Sequence, residues 1–415
     1  MLLLSALIFT ISAAFLPYQL ELLEVLAVLC LAGHDVCLFL NKKDDNKILP
    51  IGVSFATCVS VLLLLIFMST HDLDLYYAVE RTNLLIIAVS AFFRIFDPKL
   101  SFTAITVIAL SFAALGLYSD FRYGRTIMAS VAEFVIGSNK TEDEKVLETF
   151  RLLTEAGETA FAADHSAFNK TLTEDTFNDM QVLYLNADSD YDNVVFYIHG
   201  GYYVYQMGSE QMSFVNRIAN NTNSMIVMPI YPLAPFNTVT DSYETMMQLY
   251  EKVRTENEGC KIILMGDSAG GGYSLALAEG MTEYGLEQPD ELILLSPWVD
   301  VSMNNPGIAD YISDDPMLTV TMGRMSGEAW AGELPPEDWH VSPINGDMSE
   351  LHNVTIFVGT RELFYPDDTL LYEKLRNNPR VRLYIGSGQN HVYPVYPTLE
   401  GRIATERIMK IIQRK

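Results

Sequence analysis

An α/β fold is what this sequence predicts: a mostly parallel sheet covered by helices on both faces, preceded by an all-α membrane block. Three observations predict it. Strand-like and helix-like stretches alternate from residue 181 to the end. The apolar run Ile262 to Met265 feeds into Gly266-Asp-Ser-Ala-Gly-Gly-Gly272, a strand-to-helix turn built of small residues. Five apolar runs fill residues 1–125. Alternation with continuous apolar strands argues for a parallel sheet buried on both faces.

The runs are Leu2–Leu16, Val25–Leu40, Leu49–Met68, Leu84–Phe96 and Leu100–Tyr118, with polar breaks between them. A spanning helix needs about 20 mostly apolar residues, so residues 1–125 are expected to form four or five spans. The first run lacks a basic leader and a small-residue cleavage site, which argues against a signal peptide. Lys42, Lys43, Lys47, Arg94 and Lys99 favour cytoplasmic loops after the second and fourth runs. With five spans that ordering leaves the C-terminal part extracytoplasmic, whereas Arg122 and Arg125 argue the other way. His34 and Asp35 inside the second run fit either a polar site or a helix end at the interface.

Residues 126–180 are expected to be a linker with cap helices. Thr141 followed by Glu142, Asp143 and Glu144 reads as a helix start, and Val146, Phe150, Leu153 and Ala156 recur at helical spacing. Residues 166–190 read as polar and irregular. From 181 to 415 the expected strands are 182–185, 194–198, 225–230, 261–265, 292–295, 355–358 and 381–385, rich in β-branched and aromatic residues. The expected helices are 210–219, 241–255, 270–283 and 398–413.

The chain holds 27 Lys+Arg against 52 Asp+Glu. Residues 1–125 carry 8 and 10 of these, leaving 19 and 42 for the remainder, a net of −23. So negative a part disfavours nucleic acid and anionic lipid as partners and suits neutral or cationic substrates. Cys30, Cys37 and Cys58 lie in apolar stretches and Cys260 stands alone, so no disulfide framework is implied. No Cys/His cluster has zinc-ligand spacing, and no cofactor is implied.

Chemistry collects at the ends of the predicted strands, where sites form in such sheets. Ser268 lies in Gly-x-Ser-x-Gly. A serine forced onto a sharp turn needs side-chain-free neighbours two positions away, and its Oγ is then exposed beside a helix N-terminus. His199-Gly200-Gly201-Tyr202-Tyr203 follows the strand at 194–198, and its bare backbone can aim N–H groups at a developing oxyanion. One such donor is worth about 100- to 1000-fold in rate. Glu362, Asp367 and Asp368 follow the strand at 355–358, and His391 follows a glycine-rich stretch after the last strand. The chain order serine, acid, histidine is that of a nucleophile-elbow hydrolase. The imidazole takes the serine proton, and the carboxylate fixes the imidazole tautomer.

Residues 181 to 413 resemble the α/β-hydrolase fold, and within it the hormone-sensitive-lipase-like esterases. The matching residues are His199-Gly200-Gly201, Tyr231-Pro-Leu-Ala-Pro235, Gly266-Asp-Ser-Ala-Gly270, Ser296-Pro-Trp298 and His391. The resemblance covers a little over half of the chain and none of the membrane block. It implies Ser268 as nucleophile, His391 as base and Glu362, in Glu362-Leu363, as acid, with Asp367 the alternative. It implies an oxyanion hole from the segment Gly200, Gly201 and Tyr202 together with Ala269. Two departures stand out: Tyr202 replaces the usual third glycine and narrows the pocket, and Phe236 replaces a common glutamate. The resemblance also implies a cap made from about 126–175 and 300–345, the latter rich in Met and Trp.

The expected function is a membrane-anchored serine carboxylesterase or lipase-like hydrolase acting on small-molecule or lipid-like esters without cofactor or metal. An amidase or peptidase on the same fold is an alternative, because one fold hosts many chemistries. A non-catalytic membrane-tethered binding module is another.

Overall fold

A computed structural model describes residues 114–414 apart from 139, 142, 158 and 159. The first four apolar runs, and all but the end of the fifth, lie outside the described residues. Among the described residues no helix is long and apolar enough to cross a membrane. Backbone contacts divide the chain into two units: residues Met1–Ala132 with Pro397–Glu400, and Glu133–Tyr396 with Gly401–Lys415.

In the first unit, residues 114–123 are helical. The buried Ser119 hydroxyl closes the turn that follows, donating to the carbonyls of Arg125 (3.0 Å) and Thr126 (2.9 Å). The Thr126 N–H and hydroxyl donate to the Glu400 carboxylate at 2.8 and 3.0 Å. Helix α1 (Ile127–Gly137) follows.

The second unit is an eight-stranded sheet with helices on both faces. In chain order its elements are α2 (Asp143–Ala156), β1 (Leu172–Phe177), β2 (Met180–Leu185), β3 (Asn193–Ile198), α3 (Ser209–Thr222), β4 (Ser224–Ile230), α4 (Val239–Glu256), β5 (Lys261–Asp267), α5 (Ala269–Gly280), β6 (Glu291–Leu295), α6 (Val320–Ala331), β7 (Val354–Arg361), α7 (Tyr365–Leu375), β8 (Arg382–Asn390) and α8 (Leu399–Ile412). The spatial order is β1-β2-β4-β3-β5-β6-β7-β8. Strands β3 to β8 are parallel, while β1 and β2 run antiparallel at one edge.

Alternation along each central strand assigns the two faces. Val194, Phe196 and Ile198 of β3 join one core with α4 and α5; Val195 and Tyr197 join the other with α3 and α8. Helix α5 is buried along nearly its whole length, which is why small residues dominate its sequence, Ala269-Gly-Gly-Gly272 included.

The structure departs from expectation in three places. Helix α7 (Tyr365–Leu375) stands where no helix was expected. Residues 172–177 form a strand rather than irregular chain. Only Leu172 in it is buried, so the apolar alternation that marks a half-buried strand is missing. The signal was the two-residue turn Asn178-Asp179, both at positive φ (47° and 65°), which is what a tight hairpin demands. Strands β7 and β8 also run on to Arg361 and Asn390, so the glycine-rich stretch before His391 is strand, not loop. Glycine is required there by close approach: a Cβ on Gly359 would lie 2.3 Å from the Gln389 carbonyl oxygen.

Candidate active site

Ser268 stands between β5 and α5 at φ 54° and ψ −123°, outside the regions ordinary residues prefer. The turn is locked on all sides. The Ser268 N–H donates to the Leu295 carbonyl at 2.9 Å, and the Ser268 carbonyl accepts from the N–H groups of Trp298 (2.8 Å) and Gly272 (3.0 Å). A Cβ on Gly266 would lie 2.2 Å from the Gly270 carbonyl oxygen, and one on Gly270 would lie 2.1 Å from that of Ile198. The small residues around the serine are therefore imposed by backbone contact.

His391, directly after β8, places Nε2 2.9 Å from Ser268 Oγ. Its Nδ1 lies 2.5 Å from Glu362 Oε2. Glu362, directly after β7, is completely buried. Its Oε1 accepts from the Gly359 N–H (2.6 Å) and the Ser296 hydroxyl (2.8 Å). With the carboxylate on Nδ1, the tautomer that leaves Nε2 free to accept the serine proton is favoured.

The loop after β3 is tied to the serine turn by Asp267. Asp267 Oδ1 accepts from the Tyr197 hydroxyl (2.5 Å) and the Gly200 N–H (3.1 Å), and Oδ2 accepts from Gln211 Nε2 (2.8 Å). This corrects one expectation. The Gly200 N–H is committed to Asp267 and cannot serve an oxyanion; Gly200 instead packs against Ser268, where a Cβ would meet the serine Cβ at 2.8 Å. Among the described residues, no protein acceptor takes the N–H groups of Gly201, Tyr202 or Ala269. His199 donates Nδ1–H to the Gly200 carbonyl (2.8 Å) and stacks on Tyr231 at 4.7 Å. Burial lowers its pKa and keeps it neutral.

Asp367 is not at the histidine. It accepts from Asn305 Nδ2 at 2.7 Å, and burial raises its pKa to about 6. Asp368 is pushed well above the carboxylate range, first by burial and then by the charges of Glu362 and Asp367.

Three residues that shape the site were not assigned a role from the sequence. Asp267 and Ser296 sit inside matched motifs. Asp315 carries no local signal; it anchors the β6–β7 insertion by accepting from the N–H groups of Met317 and Leu318 (both 2.7 Å) and of Leu363 (2.8 Å). Burial holds its carboxyl up at about 6 in spite of those donors and of His391 nearby.

Residues 195–395 match a family described as having the alpha/beta hydrolase fold. The unit has the α/β-hydrolase fold. An esterase of Acinetobacter venetianus is 24% identical over 211 residues, covering 50% of this chain and 70% of that protein. A triacylglycerol lipase of Mycobacterium tuberculosis is 26% identical over 197 residues, 47% of this chain and 40% of the lipase, so the chain spans less than half of that relative. Among solved structures, a Staphylococcus aureus protein described as a candidate esterase superposes with a TM-score of 0.62 at 26% identity, over 67% of this chain and 95% of that one. An esterase of the bacterial hormone-sensitive lipase family superposes at 0.59 with 21% identity, over 70% and 98%. The unit is thus similar in sequence to esterases and lipases and shares their fold.

Proposed function

We propose that the hydrolase is a serine carboxylesterase working through an acyl-enzyme. The observation that carries this is the buried relay from Ser268 Oγ through His391 to Glu362. Ser268 Oγ attacks the ester carbonyl carbon while His391 Nε2 takes its proton. Glu362 holds the imidazolium. The oxyanion is received by the N–H groups of Gly201, Tyr202 and Ala269, with the positive end of α5 behind the last of these. Collapse expels the alcohol, protonated by His391. Water, deprotonated by the same nitrogen, then attacks the acyl-enzyme carbonyl and releases the acid and Ser268.

The apolar runs of residues 1–125 support a membrane anchor for this enzyme, and the lysines after the second run support an extracytoplasmic catalytic unit. The substrate is then a neutral, lipid-like or small ester reached from that side. Protease accessibility in sealed vesicles tests the sidedness.

The chemical assignment is tested with the full chain on p-nitrophenyl acetate and its matched anilide. Wild type should hydrolyse the ester and become labelled by a fluorophosphonate, and Ser268→Ala should do neither. Undiminished turnover in Ser268→Ala would sink the serine mechanism. Anilide cleavage as fast as ester cleavage would make the enzyme an amidase.

A further inference from the structure

We propose that Tyr202 is a specificity-determining residue that reserves the Ser268 site for short acyl chains by bracing the oxyanion loop against the α6 segment. The inference rests on the esterase reading above.

Gly201, Tyr202 and Tyr203 lie at φ 129°, 56° and 63°, three consecutive residues in the left-handed region. A bulky residue there is an outlier, whereas glycine adopts the region freely. The backbone at 202 would therefore be better served by glycine. What tyrosine adds is its side chain, and the structure shows where that side chain goes. Its hydroxyl accepts the N–H of Thr319 at 3.3 Å. Its ring stands edge-on to Trp298 at 5.8 Å. Thr319 caps α6, with its own hydroxyl accepting from the Met322 N–H.

The next residue repeats the pattern. Tyr203 stacks nearly parallel on Trp330 of α6, 4.6 Å away, and on Trp298 at 5.5 Å. Two successive side chains of the oxyanion loop thus end on the β6–β7 insertion. The same insertion is pinned just before Thr319 by Asp315, which accepts the Leu363 N–H next to Glu362.

A carbonyl seated on the Gly201 and Tyr202 N–H groups lies against the Tyr202 backbone. A long substituent on that carbonyl would have to pass the Tyr202 ring, which packs against the same apolar core that holds the buried Leu318 and Met322. Ser268 itself is only 7% exposed. An acetyl group needs none of this room; an octanoyl chain requires the ring or the helix to move. The strain at φ 56° is held in place by this bracing, the usual sense of a backbone outlier beside a site.

The test uses the full chain and kcat/KM for p-nitrophenyl acetate and octanoate in wild type, Tyr202→Gly and Tyr202→Phe. Glycine keeps the N–H donor and relaxes the backbone, so it removes only the ring. Wild type should prefer acetate. Tyr202→Gly should raise the octanoate-to-acetate ratio by about 10-fold or more, the scale at which a pocket wall discriminates chain length. Tyr202→Phe should raise it less, because the ring stays and only the Thr319 contact is lost. A folding defect lowers both substrates together and leaves the ratio unmoved. A ratio within twofold of wild type in Tyr202→Gly, or a wild type that prefers octanoate, overturns the inference alone. A wild type that hydrolyses neither ester, or a Ser268→Ala variant that hydrolyses both equally well, overturns the esterase reading and this inference with it.

Discussion

Replacing Ser296 with alanine should weaken both the fold and the chemistry, by amounts the structure allows to be worked out. The Ser296 hydroxyl donates to Glu362 Oε1 at 2.8 Å and accepts from the Val392 N–H at 2.9 Å. It thereby fixes the acid directly and the histidine through its neighbour. The variant loses a hydrogen bond to a carboxylate, worth about 1.5–3 kcal/mol, and leaves a buried N–H unpaired, costing about 1–3 kcal/mol. Glu362 keeps the Gly359 N–H, so the site is loosened rather than dismantled. A combined loss of about 3 kcal/mol follows, which lowers the melting temperature by roughly 6–10 °C in a unit of this size. All three tryptophans, Trp298, Trp330 and Trp339, lie in the hydrolase unit, so their fluorescence reports its unfolding in the full chain. On p-nitrophenyl acetate, kcat/KM should fall about 10- to 100-fold as the His391 geometry relaxes. If Ser296 acts through Glu362, adding Ser296→Ala to Glu362→Gln should cost little further activity. A melting shift under about 2 °C with unchanged kcat/KM, or full additivity in the double variant, would refute the reasoning.

Two further substitutions probe the scaffold. Glu279, near the far end of α5, has both carboxyl oxygens buried without a partner, and burial raises its pKa to about 9. An acid with a raised folded pKa contributes stability that is full below its unfolded value and is lost progressively as pH rises from there to the folded one. Glu279→Gln should therefore match wild type near pH 4 and exceed it by up to about 3 kcal/mol at pH 7; thermal melts at both pH values check this, and equal melting at pH 7 would show the carboxyl to be solvated. Gly270→Ala would drive a methyl group against the backbone carbonyls of Ile198 and His199, at 2.1 and 2.5 Å, and should cost more than about 3 kcal/mol, whereas Gly208→Ala, whose Cβ would meet its nearest neighbour at 3.6 Å, should leave the melting curve within about 2 °C of wild type.

What was legible in the sequence were the features dictated by local sterics and by alternation. The central strands announced themselves because both faces are buried and their middles are runs of apolar residues. The serine turn did so because backbone contacts at Gly266, Gly270 and Gly272 admit no Cβ. Strand β1 was missed because its exposure is nearly complete, leaving no pattern beyond its turn. Gly200 was misread for a different reason. In sequence it is one of two adjacent glycines with a free N–H, and only the fold shows Asp267 reaching back across the β3–β5 pair to claim one of them. Asp315 was invisible because its partner, the Leu363 N–H, is 48 residues away.

Those three acids and hydroxyls share a logic that explains the site better than the relay alone. Each loop at the rim of the sheet would be free to move if only its glycines were considered. Asp267 ties the loop after β3 to the serine turn. Ser296 ties the end of β6 to the acid and to the residue after the histidine. Asp315 ties the β6–β7 insertion to the residue after the acid. None of the three touches Ser268 Oγ or would touch a substrate carbonyl. Their work is to remove the freedom that an oxyanion hole and a proton relay cannot tolerate, since donors that must reorganise during the reaction stabilise the transition state poorly. The cost of that arrangement falls on the anchors. Burial lifts the Asp315 carboxyl to about 6 in spite of its three N–H donors, so desolvation of the charged form outweighs them and the fold gives up stability as pH rises from the ordinary carboxylate value through 6.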